Sequence, residues 1–351
     1  MKNNKLTWRE GHPLNLSTVM KYFDTFTGIG GFTKGIQDII PDAECVGYSE
    51  IDKYATQIYA KHYPKHTNYG DIRNIDTDKL PDFDLLVGGF PCQTFSVAGK
   101  RAGFDDTRGT LFFELARILK DKRPRHFIFE NVKGLLSHDG GKTLQVIFGV
   151  LTDLGYEYQW QVLNSKDHGV PQSRERVYII GHLRGECRPE VFPITRNAKT
   201  GLKHVGGILS KQNMMLLEEG KYKSRNFSQG NRVYSSTGLS TTLASQAGGL
   251  GAKTGLYFID LSMKEAKLTE TARTIQARYY KGYSTRKGET SGVADGKRIR
   301  RLTPTECEKL QGFPVGWTEY GLSESISDTQ RYKCIGNAVT VNVVKAIISK
   351  L

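Results

Sequence analysis

Residues 18–32 read TVMKYFDTFTGIGGF. The apolar run at 18–26 has the length and composition of a strand, the glycines that follow make a turn, and a helical pattern continues to about Ile40. A strand passing through a glycine turn into a helix brings backbone N–H groups to one edge of a sheet, where a ligand can approach them. The rhythm repeats. AECVGYSE (43–50) predicts a second strand and Asp52 to Tyr63 a second helix. FDLLVGG (83–89) and RHFIFENV (125–132) predict two more strands around the helical TLFFELARILKD (110–121), and RVYIIG (176–181) predicts another. Strands alternating with helices predict an α/β protein with a parallel, doubly wound sheet, whose ligands lie beyond the carboxyl ends of the strands.

After residue 185 the character changes. Residues 186–302 carry 14 glycines, short β-like runs and no sustained helical period. They hold 21 Lys and Arg against 9 Asp and Glu, a net of +12 in a chain whose total is +14. An excess confined to one region suits a polyanionic partner bound through phosphates. LTPTECEKLQG (302–312) and VTVNVVKAIISKL (339–351) return to helix, and the last apolar face needs a partner on the first domain. The expected division is 19–185, 186–302 and 303–351, with residues 1 to about 18 as an extension. With 38% hydrophobic and 25% charged residues, no membrane-length apolar stretch and no signal-peptide order at the N-terminus, a cytoplasmic protein is expected. Five scattered cysteines, without Cys-x-x-Cys or nearby histidines, predict neither disulfides nor a metal site.

Candidate chemistry gathers at the strand ends. The glycine turn alone is weak evidence, because it lacks the full dinucleotide spacing. Glu50 and Asp71 follow it near successive strand ends, where one carboxylate can accept ribose hydroxyls and another an adenine amino group. FDLLVGG delivers Phe90, Pro91 and Cys92 to the same edge, FENV adds Glu130, and QSRER places Arg174 and Arg176 just before a strand. A thiol beside cations has more of its nucleophilic thiolate form.

PCQTFS, ENV, QSRER, RRLTPTECEKLQGFP (300–314) and IGNAV (335–339), in that order after FTGIGGF, resemble the DNA (cytosine-5) methyltransferases, in particular their small bacterial restriction-modification type. The resemblance covers about residues 19–351 and implies a Rossmann-like S-adenosylmethionine-dependent methyltransferase sheet with a smaller, irregular, mainly β target-recognition domain. It departs from the usual pattern at Thr27, where alanine or serine is common, and at Ile51, where an aromatic often stacks on adenine.

The implied reaction flips a cytosine out of duplex DNA, adds Cys92 to carbon 6 and moves a methyl group from S-adenosylmethionine to carbon 5. By the same resemblance a protonated Glu130, its pKa raised, bonds ring nitrogen 3 and the 4-amino group. Arg176 holds the 2-oxo group, and Arg174 supports the nucleophile's surroundings. The implied cofactor site comprises Phe26, Gly28, Ile29 and Gly31 at the methionine part, Glu50 at the ribose, Ile51, Asp71, Ile72 and Leu111 around the adenine, and Pro91, Asn337 and Ala338 closing the pocket. Residues 93–109, with Gln93, Ser96, Lys100, Arg101 and Arg108, resemble a lid over DNA. Gln229, Arg232 and Thr242 fall in a stretch resembling the recognition loops, where Gln229 would fill the flipped base's place and Arg232 would read guanine. Residues 272–293 exceed what the smallest relatives carry, and their arginines read either bases or phosphates. A monomer is expected, with no metal and with a cognate endonuclease acting separately. The competing readings are a tRNA cytosine methyltransferase, a catalytically silent DNA-binding protein and a dehydrogenase. The first lacks its Cys-Phe-Thr element here, the second has no use for the four catalytic residues together, and the third lacks the full glycine motif.

Overall fold

The computed structural model describes residues 19–91, 111–194, 258–260, 267–269, 271–281, 291–295 and 298–351. Four strands run parallel: β1 (Lys21–Thr25), β2 (Glu44–Ser49), β3 (Leu85–Gly89) and β4 (His126–Val132). The chain then forms β5 (Tyr156–Asn164), the two-residue β6 (Gln172–Ser173) and β7 (Glu175–Leu183). The main sheet has the order β2-β1-β3-β4-β7-β5.

Alternation of side chains divides the core into two faces. Phe23, Leu86, Phe127, Phe129, Val177 and Ile179 pack on one face against Phe112, Leu115 and Ile118 of α3 (Leu111–Lys122) and Ile147 and Leu151 of α4 (Lys142–Asp153). Their neighbours Tyr22, Leu85, Val87, Ile128, Tyr178 and Ile180 pack on the other face. There they meet Phe32 and Ile36 of α1 (Gly31–Ile39) and Val343, Val344 and Ile347 of α7 (Val341–Ile348). Gly35 is needed at this contact, because a Cβ there would strike Val344. Helix α7 thus covers its apolar face on α1, as the sequence requires. The expectation stopped short of two elements, α4 and β5, in the stretch between RHFIFENV and RVYIIG.

The expected all-parallel sheet is corrected at β7, which runs antiparallel to both β4 and β5. Residues 165–174 between β5 and β7 are too few for the crossover that parallel neighbours need, on the order of a dozen residues or more, so the chain returns in the opposite sense. This reversal brings the start of β7, with QSRER, to the edge where β1 to β4 end.

A third cluster joins Ala55 and Ile58 of α2 (Lys53–His62) to Cys307 and Leu310 of α5 (Pro304–Leu310) and to Tyr332, Cys334 and Ile335 of α6 (Asp328–Asn337). Thr303 and Glu306 close a capping box on α5, with Pro304 in its first turn. From the glycine-rich region, β8 (Phe258–Asp260), β9 (Lys267–Thr269), β11 (Ser291–Asp295) and β12 (Arg298–Arg300) form an antiparallel sheet of order β12-β11-β8-β9. Strand β10 (Ala272–Arg273) pairs in parallel with β6, and Ala272, Ile275, Tyr279, Val293 and Leu302 belong to the third cluster.

Candidate active site at the carboxyl edge of the sheet

Between β1 and α1 the chain turns through Phe26, Gly28 and Gly30 at φ of 51°, 56° and 88°. At Gly28 the left-handed backbone favours glycine, and a Cβ would meet nothing within 4 Å, so the peptide borders open space. Glu50, just past β2, is held against this turn. Its Oε2 accepts from Gly28 N at 2.8 Å, and its Oε1 accepts from Ile51 N and Asp52 N, each at 2.8 Å. Beside it Ile51 is 71% exposed, an apolar side chain left in solvent. Asp52 caps α2 through Tyr54 N and Ala55 N.

Strand β3 ends on the same edge. Gly88 leaves room for the Thr25 hydroxyl, which donates to Val87 O at 2.8 Å. Phe90 is buried in the core, and its carbonyl accepts from Asn131 Nδ2 at 2.9 Å, while Asn131 Oδ1 accepts from Val132 N. The end of β4 therefore fixes the backbone that leads to Pro91.

Glu130, 8% exposed, faces the start of β7, where Arg176 Nε lies 3.0 Å from its Oε1. Burial pushes this carboxyl above its ordinary value, and the guanidiniums of Arg176 and Arg174 oppose the rise. Arg174 is 3% exposed and is spent on main chain: its Nη1 donates to Ile275 O and Gly336 O, each at 3.2 Å, and its Nη2 to Ala338 O at 2.8 Å. Its Nε has no hydrogen-bond partner among the described residues, and burial together with Arg176 pushes its pKa down to about 9. At pH 7 the guanidinium remains charged.

These groups border a single cavity of about 350 Å³. Of the anticipated residues, Phe26, Gly28, Glu50, Pro91, Glu130, Arg174, Arg176 and Asn337 line it. Ile29 and Gly31 are buried behind the turn, and Ala338 serves through its carbonyl. Ile51, Asp71, Ile72 and Leu111 are not among the lining residues. Asp71 is paired with Arg73, whose hydrogen bonds hold its carboxyl below the ordinary value, while Ile72 and Leu111 pack in the core. Cys92, Gln93, Ser96, Lys100, Arg101, Arg108, Gln229, Arg232 and Thr242 lie outside the described residues. The sequence reading missed Asp52, Asn131 and Lys333, all of which line the cavity. Asn131 had a signal, its place beside Glu130 in ENV; Lys333 had only its position one helical turn before Asn337.

Comparison with known proteins identifies the family. The sequence model of C-5 cytosine-specific DNA methylase matches residues 20–351. The chain belongs to that family. Among relatives of this methylase, the type II methyltransferase M.NlaX of Neisseria lactamica is 38% identical over 95% of the chain and 96% of its own length. The type II methyltransferase M.HhaI of Haemophilus parahaemolyticus is 32% identical over 94% and 93%. The crystal structure of S. pombe Dnmt2 methyltransferase superposes with a TM-score of 0.60, covering 94% of the methylase and 97% of that chain at 19% identity, which shows the shared fold. Among the described residues the methylase has no helix long and apolar enough to cross a membrane and no cluster of three or more side chains able to hold a metal.

Proposed function

We propose that the chain methylates carbon 5 of cytosine in duplex DNA, with the base turned out of the helix into the cavity and Cys92 as the attacking thiol. One observation carries this reading: a buried carboxyl, Glu130, is held against Arg176 in a cavity that continues to Gly28 and Glu50. A carboxyl above its ordinary value can keep a proton and donate it to a ring nitrogen, while its second oxygen accepts from an amino group.

The residues present fit S-adenosylmethionine. Gly28 opens its backbone to the cavity, Glu50 is oriented by three N–H groups and retains acceptor capacity for ribose hydroxyls, and Ile51 offers an exposed apolar surface for a base. Helix α1 is preceded by Gly30, which brings no side-chain acceptor to the first-turn N–H groups. When bound, this cofactor supplies a methyl group on a sulfonium. The chain's own part is to prepare the base. Cys92 adds to carbon 6, opening the 5,6 double bond so that carbon 5 becomes electron-rich; Glu130 bonds nitrogen 3 and the 4-amino group; Arg176 bonds the 2-oxo group; loss of the carbon 5 proton to solvent after methylation re-forms the double bond and expels the Cys92 thiolate. Arg174 acts as a positioning residue, tying β7 to the carbonyls of residues 275, 336 and 338.

Residues 93–109 close over the DNA, and residues 186–302 read the sequence and supply phosphate contacts. Protection of host DNA in a cytoplasmic restriction-modification setting is the accompanying role. Bisulfite mapping of DNA from an expressing host identifies the target. A duplex carrying 5-fluorocytosine at that position is then expected to form a denaturant-stable conjugate with the full chain and S-adenosylmethionine. No conjugate, or retained turnover in Cys92→Ser, overturns the covalent scheme.

A further inference from the structure

The described walls of the cavity hold three cations, Arg174, Arg176 and Lys333. Two of them are committed. Arg176 faces Glu130 at 3.0 Å, and Arg174 is bound to three main-chain carbonyls. Lys333 is different: its ammonium lies over the Tyr280 ring, 5.3 Å from the centroid, and has no hydrogen bond or ion pair among the described residues. A cation–π contact uses the face of the charge turned to the ring and leaves the ammonium donors available.

The position of Lys333 indicates what it can reach. It stands four residues before Asn337 on α6, so the two side chains share one face of the helix, with Cβ atoms roughly 5–6 Å apart. Both line the cavity that also presents the turn at Phe26 and Gly28. Ile51, the exposed apolar surface suited to a base, follows Glu50 and is not among the cavity's lining residues, whereas Glu50, bonded to Gly28 N, is. A ligand that places its ribose at Glu50 and its base outside at Ile51 leaves its remaining arm to the cavity, whose walls include the turn and α6. In S-adenosylmethionine that arm ends in an amino acid, whose carboxylate is the only anion the molecule carries.

We propose that Lys333 binds the carboxylate of the cofactor's amino-acid arm. The inference rests on the cofactor reading above and adds to it a residue and a ligand group. A carboxylate meeting an uncommitted ammonium in a partly closed cavity gains a charge-assisted hydrogen bond, and neither arginine has to give up its partner. Lys333 is thereby a determinant of cofactor selectivity, distinguishing adenosyl thioethers that carry an α-carboxylate from those that lack it.

The experiment measures binding to the full chain by titration calorimetry, with no turnover required. The probes are S-adenosylhomocysteine and its decarboxylated counterpart S-adenosyl-3-thiopropylamine, which differ by the carboxylate alone. Lys333→Met is expected to weaken the first about tenfold to a hundredfold and the second less than about twofold, with Lys333→Arg restoring most of the difference. Equal weakening of both probes overturns the proposal in favour of a structural role. Unchanged binding of both, accompanied by weaker binding of a DNA duplex, overturns it in favour of a phosphate contact. Wild-type protein that binds neither probe overturns the cofactor reading itself, an outcome distinct from failure at Lys333 alone.

Discussion

Strands β4 and β7 pair along their whole length, yet their two ends carry opposite electrostatics. At the cavity end Glu130 meets Arg176, and the carboxyl stands above its ordinary value. At the far end His126 pairs in register with His182, and their Nδ1 atoms are 2.9 Å apart, one donating and one accepting. Burial pushes both imidazoles down to about 4, so the histidine pair is uncharged at pH 7. Gln159 Nε2 lies 3.4 Å from His182 Nε2 and donates to Pro189 O, which completes an uncharged network. Desolvating a charge is costly, and the ladder avoids that cost where only stability is at stake. It retains a carboxyl beside a guanidinium where a base must be bound and polarised. A buried titratable group displaced from its ordinary value is the physical mark of the working end.

The contrast can be broken most severely at Glu130. Glu130→Gln retains an oxygen to accept from Arg176 but cannot supply the carboxyl proton; methylation assayed on the mapped duplex is expected to fall about 10²- to 10⁴-fold while duplex binding persists. Loss of binding to the same extent would make the carboxyl a scaffold. A smaller effect belongs to Asn131, which ties the end of β4 to the carbonyl of Phe90. Asn131→Ala leaves that carbonyl without its donor and is expected to lower unfolding free energy by about 1–3 kcal/mol in a denaturant titration.

The smallest effect at neutral pH is expected at the histidine pair. Both folded-state values lie below the unfolded value of about 6.5, so the unfolded chain binds more protons between the two. The stability this pair contributes is therefore complete above about pH 6.5 and is lost as pH falls towards about 4. His126→Phe with His182→Phe is expected to flatten the fall in thermal midpoint over that window. A wild-type midpoint insensitive to pH there would remove the neutral-pair half of the comparison.

Much of this was legible in the residue order. The glycine turn, Glu50 after the second strand, Pro91 and the Gln-Ser-Arg-Glu-Arg stretch were each legible at the edge they occupy, because turn chemistry and side-chain alternation are local. Arg174 was legible as a site residue but not in its role: nothing in QSRER tells that its guanidinium is consumed by carbonyls 101, 162 and 164 residues away. Asp71 was legible as an acid after a predicted strand, but its pairing with Arg73 two residues later was not.

The order of amino acids by itself determined the α/β class, the membership in the C-5 cytosine-specific DNA methylase family and the identity of the candidate reactive groups, because each follows from short-range pattern. Only the tertiary structure decided that β7 runs backwards. In a parallel sheet Arg174 and Arg176 would stand at the edge opposite Glu130. The short link from β5 forces the reversal that brings carboxyl and guanidiniums together, and strand direction depends on connection length and packing, which no single motif encodes.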